Sequence, residues 1–237
     1  MNYMLQKQSI KNQFDRLEAN LNRIQDHNEC FHQPYSFSTP YTTNYKQWLD
    51  KILLPQTRLI VEPKIAGAAI VLTYKGGLLF KAINKAGLNK IQNISEIKNI
   101  PFQLPIKKDI QIRGVLYAPN LDSFSSEHLA DNFLSMKTST EEELNFCSFQ
   151  IFNSNQNQYQ SLKELQKLGL EVPDTEFTNF TSEVELYVQL WREGKLFANY
   201  PTEGIVLKVN SRKFQKQLRA KNDTIYSNWC YVMNNSK

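Results

Sequence analysis

The chain has 237 residues and 41% hydrophobic content, enough for one large domain or two small ones with a sizeable core, which argues against a disordered chain. Its 28 Lys and Arg against 23 Asp and Glu leave a formal charge of +5, which permits a phosphate-bearing partner without demanding one. No run approaches the ~18 consecutive apolar residues of a bilayer span, and the N-terminus lacks the apolar core and cleavage site of a secretion signal, so a soluble, cytoplasmic protein is expected.

In chain order, Ile10, Phe14, Leu17, Leu21 and Ile24 are spaced by 4, 3, 4 and 3 residues, one apolar stripe on a helix. Residues 26–43 mix His, Asn, Pro, Ser and Thr without a period and read as a loop, and a short helix over 45–53 is expected before Pro55. Over 58–84 the chain turns to β-branched and aliphatic runs, broken by Gly67 and by Lys75-Gly76-Gly77, which predicts strands joined by a hairpin turn. Further strands are expected over 109–118, 146–153 and 204–210, and helices over 161–168 and 183–194, with the polar run 153–158 as an exposed turn. Helices and strands without regular βαβ spacing predict an α+β fold built on antiparallel sheet.

Three segments carry candidate chemistry. In Val61-Glu62-Pro63-Lys64-Ile65-Ala66-Gly67 a lysine stands between a strand end and a glycine. Such a lysine is a nucleophile if its surroundings free the neutral amine, and otherwise an ordinary solvated strand-end lysine; this segment alone leaves both open. Thr202-Glu203-Gly204-Ile205-Val206-Leu207-Lys208 begins with a carboxylate able to hold a hydrated Mg²⁺ and ends in a lysine able to neutralise a phosphate. Gln111-Ile112-Arg113-Gly114 adds an arginine next to a glycine that lets a ligand approach the backbone. The basic run 208–221 reads either as a phosphate-backbone contact or as a solvated helix face. Cys30, Cys147 and Cys230 read as buried thiols, Trp48, Trp191 and Trp229 as core, and His27, His32 and His128 as too scattered for a metal.

Together these segments resemble the adenylation domain of the NAD-dependent DNA ligases, in the covalent nucleotidyltransferase superfamily. V-E-P-K-I-A-G is similar to the family's V-E-P-K-I-D-G, I-R-G-V-L-Y to its V-R-G-E-V-Y, and T-E-G-I-V-L-K-V to its D-G-V-V-I-K-V. Lys81 to Gly87 stands where the family has A-x-T-R-G-D-G, Leu165 to Leu170 resembles L-x-x-L-G-F, and Trp229 falls at a W-x-x-x-Y-K segment. Gln13 to Leu17 resembles the E-Y-D-R-L helix of the subdomain that grips the nicotinamide mononucleotide half of NAD. The resemblance is closer to the shorter B-type ligases.

It implies an ATP-grasp-like α+β nucleotidyltransferase fold, with a remnant of the mononucleotide-binding subdomain over 1–34 and the adenylation domain over 35–237. Lys64 would attack an α-phosphate and carry AMP, and Lys208 would stabilise phosphate charge. Glu62 would contact adenine, with Ile65, Gly67, Lys85 and Arg113 in the nucleotide site, Glu203 near a Mg²⁺, and Asp15 towards NAD. NAD, or ATP in its place, would be the AMP donor. DNA, or RNA in its place, would be the strand-joining partner, with a separate subunit carrying the OB-fold and other DNA-clamping domains that do not follow Lys237.

The sequence also departs from the family. Ala66 and Val115 stand where it has carboxylates that orient the lysine and hold the ribose, and the C-terminal motif lysine falls on Asn234. Two functions are therefore carried forward, a diverged adenylyltransferase and a nucleotide- or nucleic-acid-binding module without chemistry. Carboxylates restored at 66 and 115 would be expected to enter a polar cleft.

Overall fold

In strands 59–65 and 202–209, alternate residues are apolar, so each strand has one face suited to a core and one free for polar side chains. The computed structural model describes residues 45–52, 57–135, 143–220 and 229–234, all within the unit Gln33–Lys237. The helix expected over 10–24, with Asp15, lies outside the described residues, as do the loop over 26–43, Cys30, His27 and His32.

The described elements are helix α1 (Tyr45–Ile52), strands β1 (Leu59–Ile65), β2 (Ala68–Lys75) and β3 (Leu78–Asn84), the short helix α2 (Ile91–Ile94), and β4 (Ile110–Tyr117). They continue with α3 (Ser123–Ser135), β5 (Asn145–Ile151), α4 (Gln158–Lys167), β6 (Glu176–Thr178), α5 (Thr181–Arg192), β7 (Thr202–Val209), α6 (Arg212–Ala220) and β8 (Cys230–Asn234). The strands form two antiparallel four-stranded sheets, in the orders β6-β1-β7-β8 and β3-β2-β4-β5. This is the α+β architecture that the strand and helix pattern predicts.

In the first sheet, Leu59 and Val61 of β1 join Ile205, Leu207 and Val209 of β7 in a core closed by Trp48 and Leu49 of α1 and by Val184 and Trp191 of α5. Strand alternation turns Glu62, Lys64 and Lys208 the other way, towards the second sheet. The second sheet has its own helix, α3, whose Ala130, Phe133 and Leu134 are buried. The sequence reading missed α3 because its serine-rich start carries little apolar periodicity. Asp122 starts it, its Oδ1 accepting from the backbone N–H groups of Phe124 at 3.0 Å and Ser125 at 3.1 Å.

The edge strand β5 is partly closed by a side chain. Asn99 Oδ1 accepts from the Phe146 N–H at 2.9 Å, and its Nδ2 donates to the Phe146 carbonyl at 3.0 Å, standing in for a neighbouring strand.

β1 leaves the first sheet and β2 enters the second within two residues, Ala66 and Gly67. A Cβ at Gly67 would lie 2.0 Å from the Leu116 carbonyl oxygen, so only glycine lets this crossing pass so close to β4. Gly67→Ala is expected to destabilise the fold by about 1–3 kcal/mol, the usual scale of overpacking, as measured by urea unfolding. An unchanged midpoint would show that the crossing has room to relax.

Candidate active site

A β-bulge decides where Glu203 points. Lys64 pairs with Gly204, and Ile65 with Thr202, leaving Glu203 as the extra residue of β7. In an unbroken ladder Glu203 would face away from its neighbour Gly204; the bulge re-aims it towards Lys64. Lys64 Nζ donates to Glu203 Oε2 at 2.5 Å, with the two side chains 34% and 29% exposed.

A second bulge presents an aromatic ring from the other sheet. Arg113 pairs with Gln150, and Gly114 with Ser148, so Phe149 is the extra residue of β5. Its ring centroid lies 5.1 Å from Lys208 Nζ and 6.0 Å from Arg113 Cζ. Burial draws the Arg113 guanidinium down to about 10, still protonated at neutral pH. Lys208 and Arg113, contributed by opposite sheets, thus flank one ring.

Lys208 Nζ donates to Glu62 Oε2 at 2.5 Å, and this pair is buried, with 4% and 2% exposure. Gln158 Nε2 donates to Glu62 Oε1 at 3.2 Å and to the Phe149 carbonyl at 3.0 Å. Gln158 was invisible to the sequence reading, which ends an exposed turn on it; the structure makes it the buried first residue of α4.

The loop after the lysine is held from two sides. The Ala66 N–H donates to the Pro201 carbonyl at 2.7 Å, and Ser126 Oγ of α3 donates to the Ala66 carbonyl at 2.8 Å. One turn earlier on α3, Ser123 Oγ donates to the Thr202 carbonyl at 2.9 Å. These contacts bring Glu127, a second residue absent from the sequence reading, to Glu203. Partial burial, then the negative charges of Glu203 and Asp131, hold the Glu127 carboxyl above the usual range, while Lys64 acts in the opposite sense.

The structure therefore brings together Lys64, Glu203, Glu62, Lys208 and Arg113. Ile65 packs against Val115, Tyr117 and Cys147, and Gly67 forms the crossing described above. Lys85 is exposed in the turn after β3, an outer strand of its sheet. Asp15 lies outside the described residues. Asn234 pairs in register with Gly204.

The polar surroundings expected at 66 and 115 are not found. Ala66 is 2% exposed, with its backbone bonded on both sides, and Val115 is 7% exposed within an apolar cluster. A carboxylate at either position would have to be desolvated.

Among the described residues no group of three or more His, Cys, Asp or Glu side chains could enclose a metal ion. Mg²⁺ is commonly held by one or two carboxylates together with water and substrate phosphates, so Glu203, with Glu127 beside it, fits such an ion only when a phosphate is also present. Cys147 and Cys230 are buried and free. No helix among the described residues is long and apolar enough to cross a membrane.

Residues 18–132 match the family model of the NAD-dependent DNA ligase adenylation domain. A DNA ligase of Mesoplasma florum is 29% identical over 183 residues, covering 66% of this chain and 28% of that protein. A DNA ligase of Borrelia garinii subsp. bavariensis is 31% identical over 199 residues, covering 73% and 30%. The chain is related to the NAD-dependent DNA ligase adenylation domain. It spans about three-tenths of the length of these two ligases. In fold it is similar to an archaeal ATP-dependent RNA ligase, with a TM-score of 0.55 at 13% identity over 80% of this chain and 48% of that one. The family's nucleophile motif thus falls on β1 and its later lysine motif on β7, adjacent strands of one sheet.

The Glu62–Lys208 pair gives a stability test. Lys208→Met would strand a buried carboxylate and is expected to cost about 3–5 kcal/mol, whereas Glu62→Leu added to it should restore much of that loss. Urea denaturation of the single and double variants checks this; a cost below about 1 kcal/mol for the single variant would mean that water reaches Glu62.

Proposed function

We propose that the chain is a ligase-type adenylyltransferase in which Lys64 takes AMP from NAD or ATP as the first step of strand joining. The observation that carries this is the ion pair of Lys64 with Glu203 at the β7 bulge, on the same sheet face as Lys208. A lysine is nucleophilic only as the neutral amine, and a carboxylate oxygen 2.5 Å away is placed to accept its proton.

In this reading the Lys64 Nζ lone pair attacks the α-phosphorus, and the bond to the leaving nicotinamide mononucleotide or pyrophosphate breaks with its electron pair. The proton passes to Glu203. Lys208 and Arg113 offset phosphate charge, and Lys208 must first exchange its Glu62 carboxylate for that phosphate. Glu62 and Gln158 are then free to bond the base. Mg²⁺ would supply further charge neutralisation, held by Glu203 and the phosphates. The subsequent partner would be DNA, with further clamping domains supplied by the rest of a longer chain or by a second subunit. The exposed basic residues of α6 would suit a phosphate backbone.

The absence of family carboxylates at Ala66 and Val115 favours one other reading, a nucleotide-binding module that keeps the fold without the chemistry. Intact-mass measurement after incubation with NAD or ATP and Mg²⁺ separates the two. The expected result is a mass increase of one AMP that disappears in Lys64→Arg. Nucleotide binding by calorimetry with no mass increase would establish the module instead, and AMP mapped to Lys208 or Lys85 would overturn the assignment of Lys64.

A further inference from the structure

Ser123 and Glu127 lie one helical turn apart on α3 and so share a face. Ser123 bonds the carbonyl of Thr202, the residue before Glu203, and Ser126 bonds the carbonyl of Ala66, two residues after Lys64. The first turns of α3 are therefore fastened to both strands of the Lys64–Glu203 pair, with Glu127 between the two fastenings. Its carboxyl reaches Glu203, and Lys64 and Asp131 also act on it. The next residue, His128, faces solvent and bonds Asn132 Nδ2 at 3.1 Å.

We infer that Glu127 is a positioning residue which raises the proton affinity of Glu203, so that Glu203 can take the proton of Lys64 without the carboxylate the family carries at position 66. This rests on the reading of Lys64 as the nucleophile. Two carboxylates in contact cannot comfortably both be ionised, so a proton leaving Lys64 for Glu203 becomes shared with Glu127. The balance is simple: Nζ loses one proton and gains the bond to phosphorus, the carboxyl pair gains that proton, and the nucleotide leaving group departs with the bonding electrons. Glu127 touches neither the nucleotide nor the attacking atom, and acts only through Glu203.

Glu127 is exposed, so its replacement should leave the fold intact, which a thermal melt checks. Two readouts on Glu127→Gln test the inference. The first is the rate of AMP transfer to Lys64 as a function of pH. It is expected to fall about tenfold near neutrality, less than the roughly 10²–10⁴-fold of a group acting directly, and to recover in part in Glu127→Asp. The second needs no nucleotide: acetylation of Lys64 by acetic anhydride at fixed pH, referenced to the exposed Lys46.

Removing a negative charge that helps hold the Lys64 ammonium should make acetylation several-fold faster while AMP transfer slows. A purely structural role would not move the two rates in opposite directions. Unchanged acetylation, or faster acetylation with unchanged AMP transfer, would overturn the inference. If the parent chain accepts no AMP yet Glu127→Gln acetylates faster, the adenylyltransferase reading falls while the coupling of Glu127 to Lys64 through Glu203 stands.

Discussion

One extra residue in each of two strands decides what stands between the sheets. Without the bulge in β7, Glu203 would turn with the opposite face of its strand towards the core of Trp48 and Trp191, and Lys64 would have no carboxylate beside it. Without the bulge in β5, Phe149 would leave the face it shares with Arg113. Antiparallel strands alternate strictly, so a sheet can gather chemistry on one face only where its ladder is broken, and both breaks fall at this site.

The charges gathered there are unevenly hydrated. The Lys64–Glu203 pair is part-exposed, so water and ions weaken it and its members can exchange partners. The Glu62–Lys208 pair is nearly dry, which makes it costly to break and gives an arriving phosphate a specific task, the replacement of a carboxylate. Gln158 at the start of α4 lets Glu62 keep one hydrogen bond during that exchange. The four ionised groups thus form two neutral pairs, one set for chemistry and one for recognition.

Much of this could be read from the residues alone. The apolar alternation of 59–65 and 202–209 and the Gly76-Gly77 turn gave strands close to those observed, because period and turn chemistry are local properties. Lys64, Lys208, Arg113 and Glu203 were visible as charged residues beside glycines in otherwise apolar runs. Glu127 and Gln158 were not, since each owes its place to contacts distant in sequence: Ser126 with Ala66 for the first, Phe149 with Glu62 for the second. The surroundings of Ala66 and Val115 were misread for the same reason, because burial of a strand face depends on what the second sheet places opposite it.

A crystal soaked with NAD or ATP and Mg²⁺ tests the central claim most directly. The account predicts continuous density from Lys64 Nζ to the phosphorus of AMP, with Lys208 withdrawn from Glu62 onto a phosphate oxygen. A nucleotide bound between the sheets with Lys64 still paired to Glu203 and no bond to phosphorus would contradict it.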